Sequence, residues 1–519
     1  TGDGNIVFNL NNDFSTFVAD AGDQTVTVSD ANAIVLGNVT AATLNVTSDS
    51  DNSDTTADSI TQAGSSTITV SGTTTLDTGS DNVSVAAVTL DEASNNFGTV
   101  TVGNAGAVTL VDADALILGA ISATSLDATT SGNITQSGAL ALGATTLAAG
   151  TGDITLTTGT NDFTGAVSIG SGNNVAITDA NAIDFGASTI AGTLGVTATG
   201  AVSDSGAISA GATTITNTGN TVILDAGNDF DSVNITGSTV TVNDTDELDI
   251  VGVTATGAVS ITTSGAITQS GAIDADTTTS LTAGAGNDIT LTNAGNDFTG
   301  AVSIGSGTNV AITDANAVDF GASTVSGTLD IIATGAVSDS GAISAGATTV
   351  TNAGNTVVLD DANNFSSVNI TGSTVTVNDT NALDIAGLTA TGAVTVTTAG
   401  AITQSGAIDA DTTTSLTAGG ANNITLTDAT NDFTGAVSVI SGNNVAITDA
   451  NAVDFGASTV SGTFDVIAGG AVSDSGVLTV TGITTVDTDS NDDGTGDGNI
   501  VFNLNNDFST FVADAGDQT

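Results

Sequence analysis

The sequence predicts an all-β chain, wound as a right-handed parallel β-solenoid (a β-helix) with about 22 residues and three short strands per coil, its coils stacked into a long filament. Three observations predict it. The chain repeats at two nested periods. Its runs of Val, Ile, Thr and Ala are bounded by Gly, Asn, Asp and Ser. It also has no Pro, which would deny an N–H to an interior ladder.

The longer period is read directly. "NDFTGAVSIGSGNNVAITDANAIDFGAST" begins at Asn161, and near-copies begin at Asn296 and Asn431, so the two steps are equal (296 − 161 = 431 − 296 = 135). This divides the middle of a continuous solenoid over 1–519 into repeats at 161–295, 296–430 and, in part, 431–475. A half-period lies inside it. Phe97, Phe163, Phe230, Phe298, Phe365 and Phe433 follow one another in steps of 66, 67, 68, 67 and 68, each in an N-[DN]-F at the start of a unit. A finer step of 22 separates Phe163 from Phe185, Phe298 from Phe320, and Phe433 from Phe455. That step divides the unit into three coils and predicts Phe163 and Phe185 as neighbours in one inward ladder.

The strands follow from the same unit. After Phe163 come "AVSI", "NVAIT", "AIDF", "TLGVTA", "TTIT" and "TVILDA", short β-branched runs separated by turn residues. Residues one coil apart stack about 4.8 Å from each other along the hydrogen-bonding direction. Val, Ile, Leu and Ala then face inward while Thr, Ser and Asp face out. The recurring "TDANA" (Asp179, Asp314 and Asp449, with Asn181, Asn316 and Asn451) reads as a corner turn rather than as paired catalytic carboxylates. "AGAGNDITL" from Ala283 reads as a structural turn, since its equivalent recurs only once per long period.

Composition excludes much chemistry. Hydrophobic residues make up 39% of the chain and the net charge is −56, from 56 acids of which only Glu92 and Glu247 are Glu. There is no Lys, Arg, His, Cys, Met, Pro, Trp or Tyr. The usual nucleophile–base pairs and zinc sites cannot be assembled, and phosphate backbones are repelled, so no nucleic acid is expected as a partner. No apolar run approaches the ~20 residues of a membrane span. At roughly 4.8 Å per coil the charges would lie about one per 2 Å, near the linear density of duplex DNA, so cations are expected partners.

Two intervals exceed the half-period, and each coincides with an acidic loop: "SDSDNSDTTAD" at 48–58 and "DTDSNDDGTGDGN" at 487–499. In the second, Asp489, Asn491, Asp493, Thr495 and Asp497 occupy alternate positions around Gly494, the spacing by which calcium loops surround the ion with oxygens. It resembles the loops of dockerins and thrombospondin-type calcium repeats. Ile500 stands where an EF-hand places a bidentate Glu, so a solvated acidic loop is the competing reading. Ca²⁺ is the one cofactor expected. Finally, "TGDGNIVFNLNNDFSTFVADAGDQT" occurs at 1–25 and again at 495–519 (495 − 1 = 494). The chain therefore reads as one period of something longer, with itself as an end-to-end partner and lateral bundling as a further contact.

The stretches "NDFTGAV…NNVAITDANAIDFGASTIAGTLGVTATGAVSDSGAI" and "GAITQSGAIDADTTTSLTAGAGNDITL" resemble the repeats of very large filamentous-haemagglutinin-like bacterial surface proteins. The resemblance runs from about Phe97 to about Ser475, and "SDANAIVLG" from Ser29 continues it. It implies secreted or surface-anchored fibres that mediate adhesion or build a matrix. The expectation is thus an extracellular structural protein, not an enzyme, with host or surface glycans as candidate targets. The alternatives are a β-helix polysaccharide-acting enzyme using two or three Asp, or an ice-binding or S-layer-type surface protein presenting flat Thr arrays such as "STVTVNDT".

Overall fold

The computed structural model describes residues 4–50, 58–79, 85–488 and 498–515. These form two compact units, Thr1–Gly257 and Ala258–Thr519. Each is all-β, a parallel β-solenoid whose strands pair with those one turn away; about 24 turns are described in all. Alternation along each strand builds the core. In Val175–Asp179 every second side chain is buried, and the same pattern recurs in Val310–Asp314 and Val445–Asp449. Inward Val, Ile, Leu and Phe fill the interior, joined at particular positions by buried Thr, Ser, Asn and Asp.

Registers locate the three sides. In the second unit, β1 (Val310–Asp314), β2 (Val318–Phe320) and β3 (Ser323–Thr324) are consecutive strands on successive sides. On the first side, Val310 pairs with Leu329, Leu329 with Thr348, and Thr348 with Val368. On the next side, Val318 pairs with Val337, Val337 with Val357, and Val357 with Val375. Val375 is the counterpart of Val310 one unit later, yet it stands on the neighbouring side. The half-period therefore holds three full turns and one side more. The first unit shows the same step: Val175 leads through Leu194 and Thr213 to Val233, while its counterpart Val240 tops the ladder of Ile183, Val202 and Val222.

That extra side corrects one expectation. Phe163 pairs with Leu142, whereas Phe185 pairs with Val167 and Asp204, so the two Phe are not ladder neighbours. The cause is that most turns are shorter than the expected coil, and their length varies. Leu116 pairs with Ile134 (134 − 116 = 18) and Val310 with Leu329 (329 − 310 = 19), while Thr279 pairs with Val302 (302 − 279 = 23). Ring contact occurs instead where Phe464 replaces the Leu of other repeats: Phe455 and Phe464 lie 5.0 Å apart in an edge-to-face pair.

Tight corners demand Gly. A Cβ on Gly341, in the "DSG" corner, would collide with the backbone nitrogen of Ala322 one turn below; the equivalent Gly206 meets Ala187 in the same way.

Candidate functional site

Beside the buried Phe series, polar features also repeat with the half-period. Each unit carries a buried Asn, the first residue of N-[DN]-F, and a buried Asp, from "TDANA" or its variants. Asn296 shows the arrangement. Its Oδ1 accepts from Gln269 Nε2 at 2.8 Å and from the Ile273 N–H at 2.9 Å. Its Nδ2 donates to Gln269 Oε1 at 2.9 Å, the Leu291 carbonyl at 3.2 Å and the Thr313 carbonyl at 3.1 Å. One side chain thus bridges the turn before it and the turn after it. The Asn296 carbonyl in turn accepts from the Ala315 N–H at 2.8 Å.

The Asp completes the connection. Asp314 Oδ2 accepts the N–H of Phe298, one turn back, at 2.9 Å; its Oδ1 accepts the N–H of Asn316 at 2.6 Å and closes the corner. The same pair of bonds forms at Asp30, Asp112, Asp179, Asp244, Asp379 and Asp449. These carboxylates are bound to backbone N–H groups, which suits a staple between turns. Burial pushes the carboxyl groups of Asp179, Asp314, Asp379 and Asp449 above the ordinary range despite those donors. Asp112 and Asp244 rise to about 6, where burial is joined by a second acid two positions on, Asp114 or Asp246. In the other five repeats that position is Asn.

The partner of the buried Asn explains why the true period is the longer one. Gln136 and Gln269 serve Asn161 and Asn296, while Asp204 and Asp339 serve Asn228 and Asn363. "ITQSG" and "VSDSG" alternate from one half-period to the next. The sequence carried this signal as two corner tripeptides, QSG and DSG, each more than one turn ahead of the Asn it holds. Spacing alone did not reveal it, because the contact crosses a whole turn.

The chain matches a family described as repeats of unknown function (DUF5649), seven times in tandem, at residues 23–104, 105–170, 172–236, 237–305, 307–371, 372–440 and 442–515. The chain belongs to this family. Each family repeat contains one of the seven staple Asp residues, so the stapled corner is a physical mark of a DUF5649 repeat in this chain. No curated protein and no solved structure matches the chain. The calcium residues expected at Asp489, Asn491, Asp493, Thr495 and Asp497 lie outside the described residues. Among the described residues no group of three or more acids is placed to hold a metal ion, and no helix is long and apolar enough to cross a membrane. Half-buried, outward-facing acids accept instead from hydroxyls one turn above, as Asp184 does from Ser203 at 3.1 Å and Ser205 at 2.6 Å.

Proposed function

We propose that the protein is a structural component of an extracellular bacterial filament or matrix fibre, non-enzymatic, with an adhesive or scaffolding role at the cell surface toward host or surface glycans. The observation that carries this reading is the staple. The polar groups buried in each repeat are used to fasten one turn to the next, which suits a ladder that resists axial pull rather than a site that acts on a substrate. An alphabet without Lys, Arg, Cys, Met or Tyr leaves trypsin nothing to cut and removes the most oxidisable side chains, which suits a durable extracellular material. A solenoid of 56 acids and no bases needs cations to pack side by side, and calcium at Asp489, Asn491, Asp493, Thr495 and Asp497 is part of the proposal.

The test is electron microscopy of undigested native material, paired with the mass of the denatured polypeptide. Fibres with an axial repeat of about 4.8 Å are expected. Short monodisperse particles at every salt and calcium concentration would sink the reading.

A further inference from the structure

An Asn followed two residues later by Thr or Ser is the acceptor pattern for N-linked sugar. Nine such tripeptides lie among the described residues. In every one the middle residue is buried: Val39, Val46, Ile134, Ile235, Asp244, Phe365, Ile370, Asp379 and Ile424. Strand alternation therefore turns each Asn outward together with its Thr or Ser.

The nine differ in what holds the Asn. Three are engaged. Asn45 Nδ2 donates to Thr27 Oγ1 at 3.3 Å, Asn243 Nδ2 to the Asp225 carbonyl at 3.2 Å, and Asn378 Nδ2 to the Asp360 and Asp361 carbonyls at 3.1 Å each. All three are half-buried. The other six, Asn38, Asn133, Asn234, Asn364, Asn369 and Asn423, are exposed, and their Nδ2 meets no acceptor among the described residues. In four of them the opposite end of the amide is anchored. Oδ1 accepts the Thr67 N–H at 2.8 Å in Asn38, the Asp153 N–H at 2.9 Å in Asn133 and the Asn444 N–H at 3.2 Å in Asn423, and it accepts Asn381 Nδ2 at 2.9 Å in Asn364. With Oδ1 tied to another turn, Nδ2 is the atom left for solvent.

The fold does not leave that atom free by default. Asn133 and Asn174 stand at one corner, each before a strand of the ladder Ile134, Ile154 and Val175. Asn174 has Ala two residues on, and its Nδ2 donates to Asp153 at 3.1 Å. Asn309 and Asn444, also followed by Ala at that position, donate to Asp288 at 3.0 Å and to Asn423 at 3.2 Å. Asn133 and Asn423 carry the Thr and keep Nδ2 open. Asn234 and Asn369 gain room differently. They pair with Gly252 and Gly387 on the next turn, and a Cβ at Gly387 would fall 2.8 Å from Asn369 Oδ1.

We propose that these six Asn residues of the folded chain are acceptors of N-linked sugar. In the transfer, the bond between sugar C1 and the oxygen of a phosphate carrier breaks, and the phosphate leaves with the electron pair. Nδ2 forms the new bond to C1, and its proton passes to a base of the transferase. The carrier is a nucleoside diphosphate or a polyprenyl pyrophosphate, and no oxidant or reductant takes part. The site rests on the extracellular reading above and adds to it a covalent coat, with three acceptors in each compact unit.

Native protein from the cells that make it is digested at Asp, since trypsin has no site, and the peptides are sequenced by electron-transfer fragmentation. Sugar is expected on the six open Asn residues and not on Asn45, Asn243 or Asn378. Single hexoses would identify a nucleotide-sugar donor; one uniform oligosaccharide would identify a polyprenyl carrier. Thr135→Ala, made in the same cells, should abolish sugar at Asn133 alone, while Thr135→Ser retains it. Bare Asn at all six positions overturns the proposal. So does sugar spread evenly over all nine tripeptides, or confined to Thr and Ser hydroxyls. Bare Asn on fibres seen by microscopy removes only the sugar, whereas sugar-bearing chains that form no fibre under any condition remove only the fibre.

Discussion

Replacing Asn296 by Ala removes one staple and leaves the apolar core untouched. The Ile273 N–H loses its acceptor inside the solenoid, an orphan that costs about 1–3 kcal/mol. Gln269 loses two of its four hydrogen bonds, keeping those with the Gly271 carbonyl and the Asn293 N–H, and the Leu291 and Thr313 carbonyls lose a donor each, together about 2 kcal/mol. The total is about 3–5 kcal/mol, and solenoid energetics confine it, because each turn contacts only its neighbours. Native-state hydrogen exchange is the assay. Amides between about residues 267 and 315 should lose protection by roughly 100- to 3,000-fold, while amides more than about two turns away keep theirs. Asn309→Ala, an exposed Asn bonded to Asp288 at 3.0 Å, is the control and should cost under about 1 kcal/mol. Unchanged protection in Asn296→Ala would refute the staple. Equal loss of protection throughout the second unit would refute its local action.

Three further outcomes are expected. Thr348 stands in an inward ladder between Leu329 and Val368, and its buried Oγ1 has no hydrogen-bond partner, so Thr348→Val should raise stability by about 1 kcal/mol in urea titration; a loss would contradict the reading. Asp112 and Asp244 bind protons more readily folded than unfolded, so their contribution to stability is largest below pH 3.8 and falls as pH rises through about 6; after allowance for solvent screening this is at most about 2 kcal/mol each, and Asp246→Asn should flatten that slope by removing the acid beside Asp244. Calorimetry at pH 4.5 and 7 checks the sign. If Asp489, Asn491, Asp493, Thr495 and Asp497 bind calcium, titration calorimetry shows one saturable site that Asp493→Asn removes; heat independent of that substitution would assign the uptake to diffuse charge.

Much of the ladder was legible because strand signals are local. "NVAIT" and "TTIT" declare themselves by β-branched alternation, and the "TDANA" corner by its Asx turn. The lateral register was not, since it depends on how many residues each corner consumes. By spacing alone Phe163 and Phe185 read as ladder neighbours, but the intervening turns are each shorter than the expected coil and carry Phe185 past Phe163 to the side of Val167. The staple was half legible. N-[DN]-F and "TDANA" stood out as recurring strings, yet the bond between them spans close to one turn of backbone and means nothing until the turn length is known. Gln269 was harder still, since Gln in a corner reads as solvated polarity until Asn296 is placed against it.

The extra side in each half-period has a consequence for how such a protein meets its surroundings. A unit of three whole turns would stack every staple, every corner and every outward acid on one face, giving each unit a marked side. Three turns and a side distribute them instead. In the second unit, Asp314, Asp379 and Asp449 close three different corners, because Val310, Val375 and Val445 begin strands on three different sides. Equivalent half-buried acids follow the same screw: Asp319, Asp384 and Asp454 accept from outward hydroxyls one turn above them, each one side further round. Like charges are thereby kept from lining up in a single row within a unit, and their mutual repulsion, screened over about 8–10 Å in salt, is spread around the axis. In consequence these equivalent acids do not gather on one side of the unit. Any lateral association should accordingly depend on ionic conditions more than on orientation.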